Sequence, residues 1–467
     1  MSHDALSEFA EATATRFGLP GVAVGIWADG QEVYACHGVT SIDNPLLVDQ
    51  HTLYVLGSVT KTYTATALMR LVAEGRVELD APVRRYVPEL MLADESAAAQ
   101  VTVLNLLNHT AGLDWRINVD TGEGDDALAR EVAKLPESKQ IAPPGIRASY
   151  SQAGYDLAGR IVEKVTGLTY EAAVASLLLE PLGLLHSFFV RDDVMTRRFA
   201  VGHNLGEDGK LRIARPWRHW RSDNPGAGLA SSVANQIRWA RFHLGDGRAE
   251  SGVLILPADV LHRMKEPTVA LLGSSLGDAF GIGWFLRDVD GVRTVGHGGS
   301  ANGQFANLLI VPERNFAVVA MSNAGPDDGL AFNQATVRWA LERYLGVIDQ
   351  DPEPLLFDEV RAREIVGIYE NEMMTLTIGG DGAGLTVECR IKAEIRAAAD
   401  TELPPNLPPA GLGLLPGNAD AYIVTSGGLK GQRGFFTRDE SGAVVGADLA
   451  GRLFIRRRVP AKQSSRE

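Results

Sequence analysis

Asp349-Gln350-Asp351-Pro352-Glu353-Pro354 restricts the fold of this chain more than any other stretch, because it suits neither a helix interior nor a central strand. Proline lacks an amide hydrogen and pushes the residue before it into an extended conformation. The chain therefore reads as a unit over 1–348, a linker over 349–357 and a second unit over 358–467. At about 150 residues per domain, a length of 467 suits one large domain with an appendage. The larger unit is long enough to bury a core without staples.

The first unit opens with apolar positions at Leu6, Phe9, Ala10 and Phe17, a helical period that Gly18 and Pro20 stop. Apolar runs over 21–27 and 32–36 flank Asp29-Gly30, a strong hairpin signal. Helical patterns follow from Ser58 to about Gly75 and around Tyr155 to Val165, ended by Gly167. Runs over 305–311 and 316–321 bracket Pro312-Glu313-Arg314-Asn315 as a second hairpin, and 331–344 reads as a closing helix. Strands at both ends with helices between predict an α/β (α+β) unit: an antiparallel sheet completed late in the chain, with a helical insert. Beyond the linker, short runs at 376–378, 384–389, 421–425 and 453–456 between Gly-rich turns predict a small β-rich, barrel-like domain. The segment Leu403 to Gly417 is read as a long loop because of its proline and glycine content.

A net charge of −13 and no basic stripe before the extreme C-terminus exclude nucleic acid as a partner. No run of about 18 apolar residues occurs, so no membrane partner is expected. The N-terminal residues lack the basic and apolar regions of a secretion signal, which predicts a cytoplasmic location. Cys36 and Cys389 are too few and too far apart for a disulfide framework or a zinc site. Neither a phosphate-cradling loop nor a His-Glu-x-x-His pattern is present, so no metal and no cofactor are expected.

Three constellations carry chemistry. In Gly57-Ser58-Val59-Thr60-Lys61, one helical turn would bring the Lys61 amine to the Ser58 hydroxyl. The plainer alternative is a serine N-cap beside a solvated lysine, but Thr62 to Met69 is too apolar for a surface helix. Tyr150-Ser151-Gln152 follows the Pro144-Gly145 turn and precedes a helix: Tyr150 suits proton relay and Gln152 could offer its amide to a substrate carbonyl. The alternative for Tyr150 is a ring that anchors the loop. His297-Gly298-Gly299-Ser300 stands at the end of a strand, where glycines let a ligand approach the backbone. There a structural histidine is the alternative, and an unperturbed imidazole would titrate near about 6.5.

In this order and at these separations, the three motifs closely resemble those of the serine β-lactamase and penicillin-binding-protein superfamily. Leu106-Leu107-Asn108-His109-Thr110-Ala111-Gly112-Leu113 and Pro181-Leu182-Gly183-Leu184 resemble two of its flanking signatures, and the resemblance covers about residues 10–345. It implies a β-lactamase-like fold and an acyl-enzyme mechanism without a cofactor. Ser58 would be the nucleophile, Lys61 its proton acceptor and Tyr150 the proton shuttle. The backbone amides of Ser58 and Ser300 would form an oxyanion hole, and Gln152, Gly298 and Gly299 would contact a small-molecule or peptide substrate.

Two departures matter. His297 stands where many β-lactamases have lysine, the pattern of the D-aminopeptidase-like, esterase and peptide-cyclase branches. Gln152 replaces the usual asparagine. The resemblance thus implies hydrolysis of esters or amides, including D-amino-acid peptides, with a stand-alone thioesterase or peptide cyclase bearing a lipocalin-like C-terminal domain as the alternative. A silent binding or sensor protein is the alternative of another class. His109 is expected to be a structural hydrogen bonder. Trp217, His219 and Trp220 could line a pocket or pack beneath a loop. In the second unit, Arg433, Arg438 and Arg452 are candidates to grip a substrate carboxylate, and the oligomeric state is left open.

Overall fold

The computed structural model describes residues 3–115, 119–206, 208–218, 220–325, 327–380, 382–398, 406–417 and 420–457. It divides into two compact units, Met1–Leu271 with Leu276–Gln350, and Leu272–Ser275 with Asp351–Glu467.

In the first unit, helix α1 (His3–Arg16) leads into β1 (Gly21–Ala28) and β2 (Gln31–Gly38). Asp29 and Gly30 both take positive φ, 52° and 75°, the two-residue turn whose twist matches its strands. Helix α2 (Thr60–Ala73) and helix α3 (Gln152–Thr166) belong to the insert, and α3 ends on Gly167 in the left-handed conformation. The chain then returns as β3 (Val269–Ser274, in this unit as far as Leu271), β4 (Gly277–Phe280), β5 (Phe285–Val289), β6 (Val292–Ala301), β7 (Gln304–Val311) and β8 (Phe316–Ser322). The strand order is β2-β1-β8-β7-β6-β5-β4-β3, with β1 pairing antiparallel to β8 across the length of the unit. Helix α4 (Asp327–Ala340) closes it, continued by a wider turn over Leu341–Leu345.

The period of two along β1 and β8 makes two cores, one on each sheet face. Val22, Val24, Ile26, Val318 and Ala320 pack with Leu6, Ala10 and Ala14 of α1 and with Phe332 and Ala340 of α4. Ala23, Ala317, Val319 and Met321 face the helical insert. Burial on both faces explains why β1 and β8 read as continuous apolar runs and not as alternating ones. Phe9 stacks on Trp339 at 4.5 Å between ring centroids. Asp349 is tied into this unit by a two-pronged ion pair with Arg287.

In the second unit, eight strands form a closed antiparallel barrel in which the first, Gly367–Glu370, pairs with the last, Arg452–Arg456. Closure leaves no free strand edge. Tyr369, Leu376, Val387, Tyr422, Phe436 and Phe454 fill its core. The expected loop from Leu403 to Gly417 is corrected over its described part: Ala410–Leu414 is a strand between two barrel neighbours. Ala410, Leu412 and Leu414 point inward, while Gly411 and Gly413 take the outer face. A side chain at Gly413 would collide with Pro354, so the glycine content reflects close packing and not a turn. Arg438, a candidate for carboxylate capture, is engaged within the unit by Asp420 and Glu364.

Candidate active site

Ser58 lies in a 3-10 turn, Gly57–Val59, and the α-helix proper starts at Thr60. Neither the turn nor the helix has a side-chain N-cap, so the serine hydroxyl is not occupied as a cap. The helix that follows is buried although it carries four threonines. Each donates its hydroxyl to a carbonyl: Thr60 to Gly57, Thr62 to Val59, Thr64 to Pro225 and Thr66 to Thr62. Satisfied in this way, hydroxyls carry little desolvation cost.

Gly57 has φ +54°, and a Cβ there would lie 2.6 Å from the Ser300 amide nitrogen. In return, a Cβ at Gly299 would lie 2.9 Å from the amide nitrogens of Ser58 and Val59. The serine turn and strand β6 thus cross backbone to backbone, with no room for a side chain on either. This crossing brings the backbone at Ser58 close to the backbone at Ser300. Gly298 differs, since a Cβ there would meet nothing within 4 Å, so its side of the strand faces open space. The third motif lies at the C-terminal end of β6, as expected, where His297, Gly298, Gly299 and Ser300 pair with Leu308, Asn307, Ala306 and Phe305 of β7.

Lys61 is fully buried. Its Nζ donates to Gln152 Oε1 at 2.6 Å and to the Gly226 carbonyl at 2.9 Å, and stands 3.4 Å from Ser58 Oγ. It also lies 5.0 Å and 5.3 Å from the ring centroids of Tyr150 and Tyr155. An ammonium here has three acceptors for three hydrogens. A neutral amine would give its two hydrogens to the two carbonyls, leaving its lone pair for the serine hydroxyl.

The loop bearing Tyr150 is held by His109, whose Nδ1 accepts the Ser151 amide at 3.2 Å and whose ring lies 4.4 Å from that of Tyr150. His109 itself takes φ +60°. His297 is buried, stacked on Phe285 at 4.1 Å, with its ring 6.2 Å from that of Tyr150. Its Nδ1 lies 2.6 Å from the Gly298 carbonyl, which makes Nδ1 the protonated nitrogen. Burial above all pushes its pKa down to about 3, below the reference of about 6.5, so the imidazole is neutral around pH 7.

Gln152 was expected to meet substrate. The structure turns its carbonyl to Lys61 and its Nε2 to Asp156 Oδ1 at 3.3 Å. Sequence reading missed Gly226 and Asp156. The second is one helical turn from Gln152 and could have been found from that spacing, whereas Gly226 opens the stretch Gly226-Ala-Gly-Leu-Ala-Ser-Ser232, which resembles a family loop near the site but gives its first glycine no role. Ser231, in this stretch, bonds Ser187 and Gln236. Trp217 packs on Phe199 and donates to the Ala200 carbonyl; His219 lies outside the described residues. Among the described residues no cluster could hold a metal ion, and no helix is long and apolar enough to cross a membrane.

Comparison with known proteins places this geometry. Penicillin-binding protein 4 of Amycolatopsis lactamdurans is 35% identical over 319 residues, covering 68% of this chain and 84% of that protein. The crystal structure of SurE superposes with a TM-score of 0.73 at 25% identity, over 97% of this chain and 99% of that one. A class C β-lactamase shares the fold with a TM-score of 0.59 at 21% identity, over 72% of this chain and 95% of that one. Residues 6–342 match the Beta-lactamase family model, and the chain therefore belongs to the β-lactamase and penicillin-binding-protein family of serine hydrolases.

Proposed function

We propose that this chain is a serine acyl-transfer enzyme acting on ester or amide bonds, including those of D-amino-acid peptides. The observation that carries the reading is the buried Lys61 amine, aimed at Ser58 Oγ by two carbonyl acceptors. Lys61 takes the hydroxyl proton as Ser58 Oγ bonds to the substrate carbonyl carbon. The developing oxyanion accepts hydrogen bonds from the Ser58 and Ser300 amides. As the tetrahedral intermediate collapses, Tyr150 passes the proton to the leaving group, giving an alcohol or amine and a Ser58 ester. Water then attacks the ester and releases the acid.

The neutral His297 bears on the substrate. A third-motif lysine would present a cation to a substrate carboxylate, whereas an imidazole held at a pKa of about 3 presents none. This favours neutral acyl groups over β-lactams, which carry a carboxylate. SurE, similar over nearly the whole chain, has also been solved with D-Leu, which supports a D-residue in the substrate. A second reading, release of the ester to an amine of the same peptide as a cyclase, draws on the third-motif histidine together with the appended closed barrel.

Fluorophosphonate labelling tests the reading. Wild type should label at Ser58, Ser58→Ala not at all, and Lys61→Ala several orders of magnitude more slowly. Turnover near the wild-type rate in folded Ser58→Ala, or an unlabelled wild type, would overturn it, the latter in favour of a binding protein. Mass spectrometry of products from a D-residue peptide thioester separates hydrolysis from cyclisation.

A further inference from the structure

We infer that Asp156 is a positioning residue for the base: it holds the Gln152 amide in the orientation that leaves the Lys61 lone pair to Ser58. This rests on the reading of Lys61 as the base. Asp156 is fully buried and lies one turn along α3 from Gln152. Its carboxylate faces Gln152 Nε2 at 3.3 Å, while the other end of the same amide accepts from Lys61 at 2.6 Å.

The orientation matters because an amide has a donor and an acceptor end of nearly equal size. Turned around, the Gln152 NH2 would face Lys61 and donate to the lone pair of the neutral amine, competing with the serine hydroxyl. Its oxygen would then face the Asp156 carboxylate, acceptor against acceptor, which is unfavourable in a buried site. Asp156 therefore disfavours the unproductive orientation without touching substrate or the reacting atoms.

Packing holds the amide in place. A Cβ on Gly226 would overlap the Gln152 side-chain amide, and one on Gly159, two turns along α3 from Gln152, would overlap the Pro225 ring. Helix α3 thus lies flush on the segment 224–227 that also presents the Gly226 carbonyl to Lys61. Glutamine is accommodated at 152 because position 226 has no side chain.

The test is a set of variants assayed with a small p-nitrophenyl ester and with fluorophosphonate. Asp156→Leu should lower kcat and the labelling rate by about 100-fold with KM nearly unchanged, since only the base is disturbed. Asp156→Asn, which can offer an oxygen to Gln152 but can also turn its own NH2 toward a reversed Gln152 amide, should recover only part of the rate, to a value between the leucine variant and wild type. In a Gln152→Met background, Asp156→Leu should cause no further loss, because the residue acts through the amide. Should Asp156→Leu not yield soluble protein, Asp156→Ala is read in the same way. A wild-type kcat in folded Asp156→Leu or Asp156→Ala, an equal loss in both backgrounds, or an asparagine variant as slow as the leucine one would each overturn the inference. Lys61→Ala separates the two readings: if it is inactive while Asp156→Leu is fully active, only the role of Asp156 falls. An active Lys61→Ala removes the base itself.

Discussion

Gln152→Asn restores the residue that the family usually carries, yet the geometry predicts that it impairs this enzyme. Removing one methylene retracts the amide by about 1.5 Å, so the 2.6 Å contact with Lys61 opens to about 4 Å, beyond hydrogen-bond reach. The lost bond is charge-assisted once Lys61 has taken the serine proton, so the loss falls on the transition state more than on the ground state. Hydrogen bonds to charged groups contribute about 1.5–3 kcal/mol, which corresponds to about 10- to 150-fold in acylation rate. The assay is the second-order rate of fluorophosphonate labelling, with kcat/KM for a p-nitrophenyl ester as a second measure and a thermal melt to show that the fold is intact. Gly226→Ala supplies a control. Alone it should be strongly impaired, because the new methyl overlaps the glutamine amide. In the Gln152→Asn background the same change should cost much less, since the space is vacated. A Gln152→Asn enzyme as fast as wild type would refute the reasoning.

Further outcomes follow from the buried ionisable groups. Between pH 5 and 8 no limb of the pH–rate profile should belong to His297, whose pKa is pushed down to about 3; a limb near 6.5 that vanishes in His297→Gln would contradict this. His297 should instead appear in stability: the unfolded chain binds its proton below about 6.5 and the folded chain does not, so stability falls as the pH drops from there toward 3. His297→Gln should flatten that slope in thermal melts. In the barrel, burial raises Asp448 from 3.8 to about 7. Its contribution is complete at low pH and is lost as the pH rises toward 7, on the order of 4 kcal/mol. Asp448→Asn should therefore gain stability over wild type as the pH rises from about 4 to 7, and a constant difference between the two would refute the burial argument. Both thiols are buried enough to be pushed up to about 12, so iodoacetamide at pH 7.5 should modify native Cys36 and Cys389 far more slowly than the unfolded chain.

Much of this molecule is written in local sequence. The Asp29-Gly30 turn, the period of α1, the Gly167 stop and the strand pair around Pro312 each follow from interactions within a few residues, which is why reading along the chain finds them. The three motifs are legible for a related reason: the spacing of Ser58 and Lys61, or of Tyr150 and Gln152, is itself a local geometry on a turn or a helix. Ala410–Leu414 was not legible, because its glycines answer to close packing, Gly413 against Pro354 more than fifty residues away and Gly411 against Thr425 of the neighbouring strand's end, and not to a turn. The condition of the site was decided by tertiary structure alone. Lys61 receives Gln152 from 91 positions away and the Gly226 carbonyl from 165. His297 is neutral because it is buried, with Phe285 stacked on its ring, and the backbones at Ser58 and Ser300 come close only because Gly57 and Gly299, on distant elements, leave them room to cross. Residue type and spacing set which groups are available. Which of them are charged, oriented and desolvated depends on partners that only the folded chain assembles.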